Sequence, residues 1–123
     1  MAEVDLTFCV VNTDQRALLV ECLDAIAAER AALSCTSEVI VLDNASTDGS
    51  AGTARNHPTV DRVIALDQRA GKGENDSTLL QSASGRYCLL LNEDAILQPG
   101  ATQALYDALE AREDAAAAGA RLL

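Results

Sequence analysis

The stretch EVIVLDNASTDGS, residues 38–50, holds two messages in thirteen residues. Val39, Ile40, Val41 and Leu42 show no polar alternation, the pattern of a strand covered on both faces in a parallel sheet. The run then stops at Asp43 and gives way to Asn44, Ser46, Thr47, Asp48 and Gly49, a polar turn suited to capping a short helix through Arg55 and Asn56. A covered parallel strand needs helices on either side, so the rest of the chain should alternate between the two element types.

It does. LTFCVV (6–11) is an apolar run rich in strand formers that ends at Asn12-Thr13-Asp14. Residues 17–33 then place Leu19, Cys22, Leu23 and Ile26 at helical spacing, and Thr13 or Asp14 is the expected N-cap. After the break at His57-Pro58, VDRVIAL (60–66) is a third strand and DQRAGKGEND (67–76) a polar loop. A helix over 77–84 should end at Gly85, and RYCLLL (86–91) should form a fourth strand, read as buried and ending at Asn92-Glu93-Asp94. Pro99 opens an amphipathic helix over 101–114, and a further strand should begin near Gly119. This βα alternation predicts one α/β domain over residues 1–123, a Rossmann-like parallel sheet flanked by helices.

Composition narrows the function. Nineteen acidic residues against nine basic ones give a net charge of −10, which opposes binding to nucleic acid or an anionic membrane. Aromatic residues make up 2% of the chain, so the core must be aliphatic. Cys9, Cys22, Cys35 and Cys88 lack zinc-ligand spacing. Reduced thiols are expected, with two disulfides as the alternative. The start MAEVDLTFCVV has no basic export leader and no apolar run is long enough to cross a membrane, so a cytoplasmic location is expected.

Ligands of open α/β sheets sit at the carboxyl ends of the strands. Three strand ends here carry acids or amides: Asn12/Asp14, Asp43/Asn44 and Asn92/Glu93/Asp94. Each alone reads as a cap or a turn; three aimed at one edge read as a site. A phospho-receiver module also gathers acids at strand ends, but it needs an acidic pair after the first strand, where this chain has VVNTD.

VVNTDQRALLVECLDAI, EVIVLDNASTDGSA, GRYCLLLNEDAILQPGATQAL and the closing GARLL together resemble the N-terminal half of family 2 glycosyltransferases, inverting GT-A enzymes that use nucleotide sugars. The resemblance implies that Asp94 is the metal-binding last position of the acidic motif. It implies that Glu93 contacts ribose or supports the metal, which would be Mg²⁺ or Mn²⁺. It implies that Asp43, with Asn44 beside it, reads the nucleobase or ribose, and that Asn12, Thr13 and Asp14 wall the base. The resemblance also implies that Lys72, the chain's single lysine, lies on the loop that in the family approaches the nucleotide sugar. Thr13-Asp14 replaces the family's usual Tyr-Asn, and the loop from Gly71 to Asp76 departs from its usual sequence, which bears on donor choice. The implied reaction is transfer from a nucleotide-diphosphate sugar to a saccharide or other hydroxyl acceptor.

No carboxylate in the chain is assigned as general base. The catalytic base and the acceptor site are expected to lie beyond Leu123, with a cut sheet edge open to homodimerisation. A non-catalytic nucleotide-binding module of the same fold is the alternative reading.

Overall fold

The computed structural model describes residues 3–112. Its four strands are β1 (Val4–Asn12), β2 (Ser37–Asp43), β3 (Arg62–Ala65) and β4 (Gly85–Asn92). They alternate with helices α1 (Arg16–Ala32), α2 (Ser50–Asn56), α3 (Lys72–Ser82) and α4 (Ala101–Ala111). All strand pairs are parallel and the spatial order is β3-β2-β1-β4. The chain therefore builds outward from β1 to β3, then returns to add β4 on the other side of β1.

The opening motif behaves as its composition demands. Val39 and Val41 pack with Phe8, Val10, Leu23, Ile26 and Ala54 on the α1–α2 face. Ile40 and Leu42 pack with Cys9 and Leu79 on the α3 face. All four β2 side chains are fully buried. At the start of β4, a Cβ on Gly85 would stand 2.6 Å from the Thr7 nitrogen and 2.7 Å from the Tyr87 oxygen, so only glycine lets β4 seat against β1.

Several sequence expectations change. The N-cap of α1 is Gln15, not Thr13 or Asp14, and the Arg16 N–H is capped by Asp48 Oδ2 at 3.0 Å from the loop after β2. Asp14 is unavailable for that role because its backbone is left-handed (φ 51°) and its carboxylate accepts from the Thr47 N–H. Helix α3 begins at Lys72 rather than 77, with Gly71 as its N-cap. Its inward positions are Asn75 and Leu79, one helical turn apart, so the first turn shows no apolar periodicity to read.

Strand β4 is not buried throughout: Leu90 is 41% exposed, and β4 is the outermost strand on its side among the described residues. Gly85 opens β4 rather than closing α3, whose C-cap is Ala83. Helix α4 ends at Ala111, and the strand expected near Gly119 lies outside the described residues. All four cysteines are free thiols. Burial lifts the Cys9 and Cys22 thiols to about 12, so both behave as small apolar groups of the core.

Candidate functional site

The order β3-β2-β1-β4 reverses direction beside β1, so the crevice of an open α/β sheet falls at the carboxyl ends of β1 and β4. A cleft of about 270 Å³ occupies that place. Its wall is Val11 and Thr13 at the end of β1, Asn44 just past β2, Lys72 and Asn75 from α3, and Asn92, Glu93 and Asp94 at and just past the end of β4. A second cavity of similar volume lies between α4 and β4, but its lining of Leu89, Leu105, Tyr106 and Leu109 brings no acids together.

The acidic turn is built by the sheet. The Glu93 N–H donates to the Val11 oxygen at 3.1 Å, continuing the β1–β4 ladder past Asn92. The Ala95 N–H then donates to the Asn92 oxygen at 3.0 Å and closes the turn. Glu93 is half-buried and Asp94 exposed. Burial pushes the Glu93 carboxyl up, the negative charge of Asp94 pushes it further, and hydrogen bonds from backbone N–H groups, Thr13's among them, offset this only in part. Two neighbouring carboxylates in that state are stabilised by a hard cation, and their oxygens suit Mg²⁺ or Mn²⁺. No group of three His, Cys, Asp or Glu side chains is placed to hold a metal among the described residues. Any ion held here would complete its shell with ligand and water oxygens.

Lys72 faces the same cleft from the first turn of α3. Its Nζ lies 3.2 Å from Asp76 Oδ2 and 3.4 Å from Asn92 Oδ1, which draws the ammonium toward the end of β4. Asn75 is buried one turn behind it. With α3 starting at Lys72, position i+3 puts Asn75 on the cleft side.

The remaining sequence-predicted residues are internally engaged. Asn12 is fully buried, and its Nδ2 donates to Asp43 Oδ1 at 3.1 Å and to Ser46 Oγ at 3.4 Å. Asp43 Oδ2 accepts from the Ser46 N–H at 3.0 Å. Asn12 Oδ1 is buried without a partner. Asp14 turns to Thr47 and forms an ion pair with Arg69, a residue the sequence reading did not single out. Thr13, Asn44, Lys72, Glu93 and Asp94 thus meet in one cleft, while Asn12, Asp14 and Asp43 form the hydrogen-bonded loops next to it.

Comparisons with known proteins agree with this layout. The family model for glycosyl transferase family 2 matches residues 7–123. No curated protein sequence matches significantly. Among solved structures, the mannosyltransferase PcManGT from Pyrobaculum calidifontis, in complex with GDP-Man and Mn²⁺, is 27% identical with a TM-score of 0.69. That match covers 85% of this chain and 31% of PcManGT. The S. aureus TarS 1–349 structure in complex with UDP-GlcNAc is 19% identical with a TM-score of 0.74, over 89% of this chain and 32% of that one, and shares the fold. The chain spans about a third of these structures' length. Its sheet is the Rossmann-like α/β layer of GT-A glycosyltransferases, and the chain belongs to glycosyl transferase family 2.

Proposed function

We propose that this chain is the nucleotide-sugar-binding half of an inverting family 2 glycosyltransferase that transfers a sugar from a nucleotide diphosphate to an acceptor hydroxyl. The observation that carries the reading is the meeting of Glu93, Asp94 and Lys72 at the point where strand order reverses. Asp94, exposed at the tip of the turn, would hold a divalent cation, with Glu93 in support from the half-buried side. Such a cation would supply charge neutralisation for a pyrophosphate leaving group. Lys72 meets a phosphate oxygen as a point charge. Asp43, held in place by Asn12 and the Ser46 N–H, keeps acceptor capacity for a nucleobase or ribose donor. The general base is assigned to no residue of this chain.

The second reading is a module of the same fold that binds the nucleotide and transfers nothing. Calorimetric titration of the chain with UDP, GDP and dTDP, with and without Mn²⁺, tests both. Metal-dependent binding that vanishes in Asp94→Ala supports the donor site; binding indifferent to EDTA removes the metal role. A sugar-transfer assay on the chain alone is expected to be negative, and turnover would show that the base is present.

A further inference from the structure

We infer that Asn44 is a positioning residue that acts through Ala70 on Lys72. This rests on the donor-site reading above. The last main-chain bond on the β3 side of β2 runs from the Leu66 N–H to the Asp43 oxygen at 2.9 Å. Beyond it the chain leaves the sheet for the turn that leads to α3. Asn44 continues the ladder with its side chain. Its Oδ1 accepts from the Ala70 N–H at 2.9 Å and its Nδ2 donates to the Ala70 oxygen at 3.2 Å. One carboxamide thus satisfies both main-chain groups of one residue, which requires a donor and an acceptor side by side.

The anchor itself is fixed, because the Asn44 N–H donates to the Asn12 oxygen at 2.9 Å. What it holds is the start of α3. Gly71 is the N-cap, its oxygen accepts from the Asn75 N–H at 3.0 Å, and Asn75 Nδ2 also reaches the Ala70 oxygen at 3.4 Å. Lys72 follows Ala70 by two residues and is the first of the helix. Asn44 therefore borders the cleft with its polar atoms already engaged, and sets where the ammonium of Lys72 stands relative to the Glu93–Asp94 turn.

The test separates this role from direct contact with ligand. Amide hydrogen exchange in Asn44→Ala is expected to show lost protection at Ala70, whereas Asn44→Asp, which keeps the acceptor, retains it. Affinity for UDP or GDP with Mn²⁺ is expected to fall about tenfold in Asn44→Ala. Binding of uridine or guanosine, followed by NMR shifts, should be unchanged. In a double-mutant cycle, Asn44→Ala should add little once Lys72→Ala has been made. Additive losses, or an equal loss for the nucleoside, would overturn the positioning role in favour of direct contact. Unchanged Ala70 protection in Asn44→Ala would overturn the hold itself. If the unaltered chain binds neither diphosphate, the donor-site reading fails, and the exchange pattern alone still decides whether Asn44 holds α3. Should Asn44→Ala fail to fold, Asn44→Asp serves in its place: protection at Ala70 with diphosphate affinity lowered is the expected pair, and loss of neither overturns the inference.

Discussion

Glu38 and Glu93 are the same residue at opposite ends of the same sheet, and they are treated in opposite ways. Glu38, near the amino end of β2, accepts from the Thr7 hydroxyl and the Ser84 N–H, both at 2.6 Å, with Arg62 at 3.5 Å. Burial pulls its carboxyl up, but those hydrogen bonds and the Arg62 charge outweigh it and hold it below the ordinary glutamate range. Glu93, past the carboxyl end of β4, is pushed the other way by burial and by Asp94. One end of the sheet has met the needs of its charge. The other leaves the charged form of Glu93 disfavoured beside Asp94, the kind of perturbed carboxyl that marks a candidate functional site.

The comparison predicts that Glu38 is a stability residue without a binding role. Glu38→Ala strands the Thr7 hydroxyl, the Ser84 N–H and Arg62, and should cost roughly 3 kcal/mol in chemical denaturation. Mn²⁺-dependent UDP or GDP affinity should be unchanged where the variant is folded. A fall in affinity at constant fold would break the division between the two ends.

Glu93→Gln should give the converse. Losing a supporting carboxylate should weaken metal-dependent nucleotide binding about tenfold. Stability at neutral pH should rise, because a raised carboxyl favours the protonated form in the folded state and opposes folding when charged. Solvent screening at this partly exposed group keeps the gain to about 0.5 kcal/mol. A destabilised Glu93→Gln would mean that Glu93, like Glu38, is a satisfied structural acid.

How much of this could be read from the chain depends on the range of the forces involved. Strand β2 was legible because Val39 to Leu42 state their burial by composition alone. The acidic turn was legible because adjacent Glu93 and Asp94 follow an apolar run without a helix close enough to cap. The α1 cap was not, since Asp48 lies 32 residues from Arg16 and only the fold brings them together. The position of β4 as the outer strand among the described residues was hidden too: an apolar run reports hydrophobicity and not where a strand falls in the sheet. The same limit hid the partners of Asn12, Asp14 and Asn44. Their residue types suit a ligand and a loop brace equally well, and only the fold reveals the hydrogen bonds they make across three loops.

A smaller effect follows from pH. Glu38, with its folded value depressed, contributes stability that is fully present above the ordinary glutamate value and is lost as pH falls through the folded value. Glu38→Gln should therefore flatten the acid limb of a stability–pH curve below the ordinary glutamate range, at a cost near neutrality of about 1 kcal/mol. An acid limb identical to that of the unaltered chain would assign acid sensitivity to other carboxylates.

The smallest expected effect lies at the carboxyl edge, where an ion pair resembles the Glu38 network on paper. Arg69 pairs with Asp14 across two loops, but their side chains are 56% and 31% exposed. Water competes for both partners, and the long arginine side chain must be ordered to make the contact. Arg69→Ala should therefore change stability by about 0.5 kcal/mol or less, and the difference should shrink further in high salt. Asp14→Ala should cost more, roughly 1 kcal/mol, because it also removes the acceptor of the Thr47 N–H at 2.7 Å. Denaturation of both variants at low and high salt checks the order. A loss in Arg69→Ala that exceeds the Asp14→Ala loss and persists in salt would mean that the ligand edge is braced by charge as firmly as the amino edge. The contrast between Glu38 and Glu93 would then be local to those two residues and not a property of the two ends of the sheet.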